Sequence, residues 1–164
     1  MKYREDKVDI TNIEIEPITQ NLENRVLLKL SLKRNPTGKT VTVIMMNPSK
    51  ANQKRSDKTI NRVIDCFYDE QKLKVRNIKI VNLFPYYNPK SITLHENIMS
   101  SRKTQSRLMQ DNRDAIRLAI KESDYIFLGW GDSPKEFYGT TFYCEVLYVT
   151  DCQTKCDSSS AKDS

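Results

Sequence analysis

Histidine is almost missing from this sequence: His95 is the only one in 164 residues. No Ser-His-Asp order and no HExxH pair is present, which argues against triad hydrolases and zincins. Cysteine is scarce too. Cys66, Cys144, Cys152 and Cys156 form no CxxC pair, and Cys152 and Cys156 have three residues between them. Structural zinc uses tighter paired spacing, so reduced thiols and no metal are expected. A catalytic cysteine would find only His95 as its base. GxGxxG and Walker loops are absent, which argues against dinucleotide oxidoreductases and P-loop enzymes; no cofactor is expected. No run approaches the roughly 18 apolar residues that span a bilayer. The start, Met1-Lys2-Tyr3-Arg4-Glu5-Asp6, lacks the apolar stretch of a signal peptide. A cytoplasmic protein without membrane contact is expected, and a monomer.

What is present is the balance of a globular chain, 38% hydrophobic and 29% charged. The 27 basic side chains outnumber the 21 acidic ones, for a net charge of +6. Such an excess suits a nucleic-acid binder, because neutralising phosphates releases counterions. It equally suits an ordinary positive surface. The length fits a single α/β domain over residues 1–150. Residues 151–164, rich in Ser, Lys and Asp, read as a disordered tail.

Ile13-Glu14-Ile15-Glu16 alternates weakly and suggests an edge strand or lead-in. Arg25 to Leu32 alternates through Val26, Leu28, Leu30 and Leu32, a strand pattern. Asn35-Pro36-Thr37-Gly38 is a turn by composition. Val41 to Met46 is a short apolar run, as expected of a strand buried on both faces, and stops at Asn47-Pro48-Ser49. Ile60, Val63, Ile64 and Phe67 predict a helix from about Asp57 to Gln71. Asn77 to Leu83 reads as a second buried strand, ending in Phe84-Pro85-Tyr86-Tyr87-Asn88-Pro89. Leu108, Ala115, Ile116, Ala119 and Ile120 predict a helix from Ser106 to Glu122. Tyr125 to Leu128 is a third strand, leading into Gly129-Trp130-Gly131-Asp132. Strand, loop, helix, repeated, predicts a three-layer sandwich with a central, mainly parallel sheet. Ligands bind beyond the carboxyl ends of such strands. All three unusual loops, at Asn47, Phe84 and Trp130, belong there.

Asn47-Pro48-Ser49 offers an amide to orient a water or carbonyl, a rigid turn and a hydroxyl; it is also good turn and cap chemistry. Lys50, Lys54, Arg55, Lys58 and Arg62 either face phosphates or form a solvated loop. Asp57 is a helix N-cap or an acid available to activate water. Asn82, Phe84 and Tyr86 suit stacking and edge reading of an extruded base, or complete the core. Trp130 between two glycines is a ligand contact or a packing anchor.

Together, Ile44-Met45-Met46-Asn47-Pro48-Ser49-Lys50-Ala51, Ser56-Asp57-Lys58-Thr59-Ile60-Asn61-Arg62, Val81-Asn82-Leu83-Phe84 and Trp130-Gly131 resemble a bacterial and phage family, domain of unknown function 1643. The likeness runs from about Leu27 to Asp132 and implies no established activity. The same pattern, a strand ending in Asn-Pro-small, one in Asn-Leu and one in Trp-Gly, more distantly resembles the uracil-DNA glycosylase superfamily. That resemblance implies a glycosylase-like fold, Asn47 as the residue that positions the attacking water, Asn82 as a base reader, and Phe84 or Tyr86 as the stacking ring. The late His-Pro-Ser type motif of those enzymes has no counterpart, since no histidine follows Trp130. Losing a donor to the departing base anion costs several kcal/mol of barrier, on the scale of about 3 kcal/mol for one oxyanion donor.

The function this implies is DNA binding, single- or double-stranded, with excision of uracil or another damaged base. The alternatives are a non-catalytic nucleic-acid-binding module of the same fold and a small-molecule nucleotide hydrolase.

Overall fold

The computed structural model describes residues 1–16, 24–86 and 102–129, the side chains of 102–106 excepted. Trp130, Gly131, Asp132, Tyr87, Asn88, Pro89, His95, Cys144, Cys152, Cys156 and the tail at 151–164 lie outside the described residues. The chain runs β1 (Glu14–Glu16), β2 (Leu27–Ser31), β3 (Lys39–Met45), α1 (Lys58–Asp69), β4 (Val75–Asn82), α2 (Arg102–Lys121) and β5 (Tyr125–Leu128). The five strands form one sheet in the order β1-β2-β4-β3-β5.

β3 is the hub. Val41 to Ile44 are buried in an unbroken run, as a strand with helices on both faces requires. Its alternate residues point to different layers. Val41 and Val43 join the core cluster with Ile60, Ile64 and Phe67 of α1. On the opposite face, the Thr42 hydroxyl donates to Ala119 O of α2 at 3.0 Å. Leu108, Ile116, Ala119 and Ile120 make the buried stripe of α2, at the spacing of one helix face. That helix begins at Arg102, four residues before the predicted Ser106. Fully burying Ile60, Ile64 and Phe67 contributes about 1.5–3 kcal/mol each before entropic costs.

The sheet is mixed rather than mainly parallel. β3 pairs parallel with β4 and with β5. β2 pairs antiparallel with β4, and β1 antiparallel with β2. The cause is local. The turn at Asn35-Pro36-Thr37-Gly38 reverses the chain between β2 and β3, and β4 then inserts between them alongside β3. Gly38 N donates to Asn35 O at 2.7 Å, and Asn35 sits at φ 52°. A Cβ on Gly38 would stand 2.3 Å from Lys74 O, so only glycine passes the strand-entry backbone there. Side-chain alternation carries no record of strand direction, and the reversal is legible only in the turn.

Parallel β3, β4 and β5 all end at the same edge of the sheet. Pairing continues past the strands. Leu83 N and Phe84 N donate to Met45 O and Met46 O at 2.8 and 2.9 Å, and Gly129 N donates to Ile44 O at 2.8 Å. The loops that leave this edge therefore start from fixed, adjacent positions. Among the described residues no helix is long and apolar enough to cross a membrane.

Candidate functional site

Where β3 gives out, Pro48 removes a backbone donor and forbids further pairing. The chain turns into the loop from Pro48 to Ser56, which is held from several sides. Asn52 Oδ1 accepts from Lys54 N and Arg55 N, both at 2.9 Å. Asn52 N donates to Arg55 O at 2.8 Å, closing a tight turn of the asparagine type. The Tyr3 hydroxyl donates to Asn52 O at 2.7 Å, and Ser56 N donates to Met1 O at 3.1 Å. Beneath the loop lies Arg25, fully buried. Its guanidinium donates to Ala51 O at 2.8 Å, and its backbone N–H donates to Pro85 O at 2.8 Å. Arg25 thus ties the loop after β3 to the loop after β4.

Asp57 is the N-cap of α1. Oδ1 accepts from Thr59 N and Ile60 N, both at 3.0 Å, and Oδ2 accepts from Ala51 N at 2.8 Å. Both carboxylate oxygens are committed to backbone donors. One joins the loop to the helix and the other satisfies the first turn, whose amides have no intrahelical partner.

Between these parts opens a cavity of about 520 Å³, lined by Met45, Met46, Asn47, Pro48, Ser49, Lys50, Asp57, Lys58, Thr59 and Gly129. That volume falls in the range of small-ligand sites. Methionine and proline make the walls apolar, and Asn47, Ser49 and Thr59 add polar groups. Ser49 Oγ is buried with no partner among the described residues.

The rim is basic. Lys50, Lys54, Arg55, Lys58 and Arg62 are exposed, and no ion pair reaches any of them among the described residues. Lys50 and Lys58 belong to the cavity wall itself, whereas Lys54, Arg55 and Arg62 stand outside it. Asp57 is the one carboxylate in that stretch, and its oxygens are already engaged.

Asn47, Pro48, Ser49, Lys50, Asp57 and Lys58 are therefore brought together. Asn82, Phe84 and Tyr86 are not on the cavity wall. Asn82 is fully buried, opposite Met45 in the β3–β4 register. Both polar atoms of its amide lack a partner among the described residues. Phe84 is 3% exposed and its ring is part of the interior. Tyr86 is half-buried. Burial pushes its phenol above the usual range, and the hydroxyl has no partner among the described residues. Trp130 follows Gly129 of the wall in the chain and lies outside the described residues.

Sequence reasoning missed Arg25, Asn112, Met45 and Thr59. Asn112 is fully buried on α2, and its Nδ2 donates to Asn82 O and Leu83 O at 3.0 and 3.2 Å. It clamps the end of β4 from behind. Its signal was available, since a polar residue stands four positions from Leu108 and from Ile116 on the apolar stripe. Arg25 gave none: a charged residue at a strand start reads as a solvent-facing end.

Residues 25–162 match a family described as protein of unknown function (DUF1643). The match covers most of the chain, which belongs to this family. No curated protein and no solved structure matches it.

Proposed function

We propose that this protein binds DNA and hydrolyses the N-glycosidic bond of one base held in the cavity beside Asn47, the activity implied by its distant resemblance to the uracil-DNA glycosylase superfamily. One observation carries the reading. A cavity of nucleobase-accepting size at the carboxyl edge of three parallel strands has Asn47 in its wall and unpaired cations on its rim. In the reaction, water oxygen bonds to the sugar C1′ as the C1′–N bond breaks. The base leaves with the bonding pair and takes up a proton, and the water gives up one. Asn47 is assigned the orientation of that water through its amide, because it is too weak a base to remove the proton. The positive rim favours the polyanion and concentrates it at the cavity mouth.

Asn82, fully buried and off the cavity wall, is given no part in reading the base in this scheme. Asp57 is a positioning residue in this scheme, because three backbone N–H groups already occupy its carboxylate.

A second reading, a nucleic-acid-binding module without catalysis, is favoured by that same commitment of Asp57 and by the lack of any histidine after Trp130. Single- and double-stranded oligonucleotides containing uracil separate the two. Release of free base with an alkali-labile abasic site is expected, and Asn47→Ala is expected to abolish it while the melting temperature stays unchanged. Binding without abasic product at high protein concentration leaves only the second reading, and activity retained in Asn47→Ala overturns the role given to that residue.

A further inference from the structure

The five unpaired cations are not equivalent. Lys50 and Lys58 form part of the cavity wall, together with Asn47 and Thr59. Lys54 and Arg55 project from the tight turn closed by Asn52, and Arg62 lies one turn along α1 from Lys58. Four helical residues advance about 6 Å along the axis, which puts Lys58 and Arg62 on one face at a spacing on the scale of neighbouring backbone phosphates. The turn is braced through Tyr3 and Arg25, so Lys54 and Arg55 sit on a fixed support, while Arg62 is carried by α1.

Resting on the DNA reading above, we propose that the site accepts its target as a nucleotide within a strand and grips it at two levels. Lys50 and Lys58 hold the phosphate of the nucleotide whose base fills the cavity. Lys54, Arg55 and Arg62 hold phosphates of its neighbours in the strand. A free base or nucleoside offers neither group a partner and is a poor ligand. A nucleoside monophosphate engages the inner pair only. An oligonucleotide engages both sets.

The test compares deoxyuridine, deoxyuridine 5′-monophosphate and a short oligodeoxyuridylate, titrated at several salt concentrations against the wild-type protein. Two multiple variants complete it: Lys50→Gln/Lys58→Gln and Lys54→Gln/Arg55→Gln/Arg62→Gln. All five side chains are exposed, so unchanged thermal melts are expected to accompany both variants. The monophosphate is expected to bind at least about tenfold more tightly than the nucleoside, on the scale of one charge-assisted phosphate contact. The inner variant is expected to erase that gap. The outer variant is expected to keep the gap while its slope of log K against log salt on the oligonucleotide falls by about two, three contacts at roughly 0.7 each. If the oligonucleotide binds but the monophosphate shows no advantage, or both variants affect the monophosphate alike, the two-level grip is overturned and the DNA reading stands. If none of the three probes binds, both are overturned.

Discussion

The two ends of the sheet treat positive charge differently. Away from the cavity, four lysines have carboxylate partners. Lys39 meets Asp124 at 2.8 Å, Lys29 lies between Glu14 and Glu16 at 3.0 and 3.4 Å, and Lys79 meets Glu122. Lys7 bridges Asp65 and Asp69 at 2.8 and 3.1 Å, linking the N-terminal segment to α1. Beyond the carboxyl ends of β3 and β5, Lys50, Lys54, Arg55, Lys58 and Arg62 have none among the described residues. Paired lysines cost little field and fasten elements together, whereas unpaired ones leave a concentrated positive potential that a polyanion relieves. The difference teaches that the net charge of +6 is not spread evenly, and that a lysine count alone conceals where the charge is available.

The largest effect expected of this contrast is on binding. Replacing all five rim cations by glutamine is expected to remove most DNA affinity. With five phosphate contacts on duplex DNA, wild-type affinity falls about 500-fold between 50 and 200 mM salt, from a slope of roughly 0.9 per contact. The variant's response is nearly flat, with folding stability within about 0.5 kcal/mol of wild type. Neutralising Lys29, Lys39 and Lys79 instead is expected to leave the salt slope untouched. If the two sets weaken DNA binding equally, the contrast between the two ends has no functional meaning.

Next is the buried join beneath the cavity. Arg25→Met removes the donor to Ala51 O, and hydrogen bonds involving a charged group contribute about 1.5–3 kcal/mol. A loss of at least that size is expected in denaturant titration, well above that for any rim lysine. Asp57→Ala is expected to cost about 1–2 kcal/mol as a lost N-cap. It is also expected to raise hydrogen exchange at the Ala51, Thr59 and Ile60 amides together, because one carboxylate serves all three. Protection unchanged at Ala51 would break the link between loop and helix.

The smallest effect belongs to the paired end, and it depends on pH. The hydrogen bond from Lys39, and then that from Thr40 N, hold the Asp124 carboxyl below the usual aspartate range. The hydrogen bond from Lys7 does the same for Asp65. With the folded value depressed, this stability is complete above the ordinary aspartate pKa near 4 and drains away as pH falls through the lower folded value. The Lys39–Asp124 pair is solvent-exposed, so screening keeps its contribution small. Melting temperatures measured from pH 6 down to pH 2 are expected to fall less steeply in Asp124→Asn than in wild type. Identical profiles would dismiss the pair as a contributor.

Much of this was written in local pattern. Tyr125–Leu128 emerges as a strand with the predicted bounds. Lys58–Asp69 lies within the predicted helix, because apolar spacing and an N-cap aspartate act over a few residues and need no tertiary partner. Asn47, Pro48 and Ser49 were legible as the end of a buried strand, since β-branched and apolar runs break where proline removes a donor. What the chain could not display locally was direction and depth. Strand alternation is the same read either way, and although the turn at Gly38 was legible, the insertion of β4 between β2 and β3 that makes β2 its antiparallel neighbour shows only in the fold. Asn82 and Asp57 are both polar residues at element ends. Only packing sends one into the interior without a partner among the described residues and spends the other on three backbone amides. The sequence by itself determined which residue types stand at the edge of the sheet. The tertiary structure decided which of them face a common cavity, because burial and pairing depend on neighbours that lie far apart along the chain.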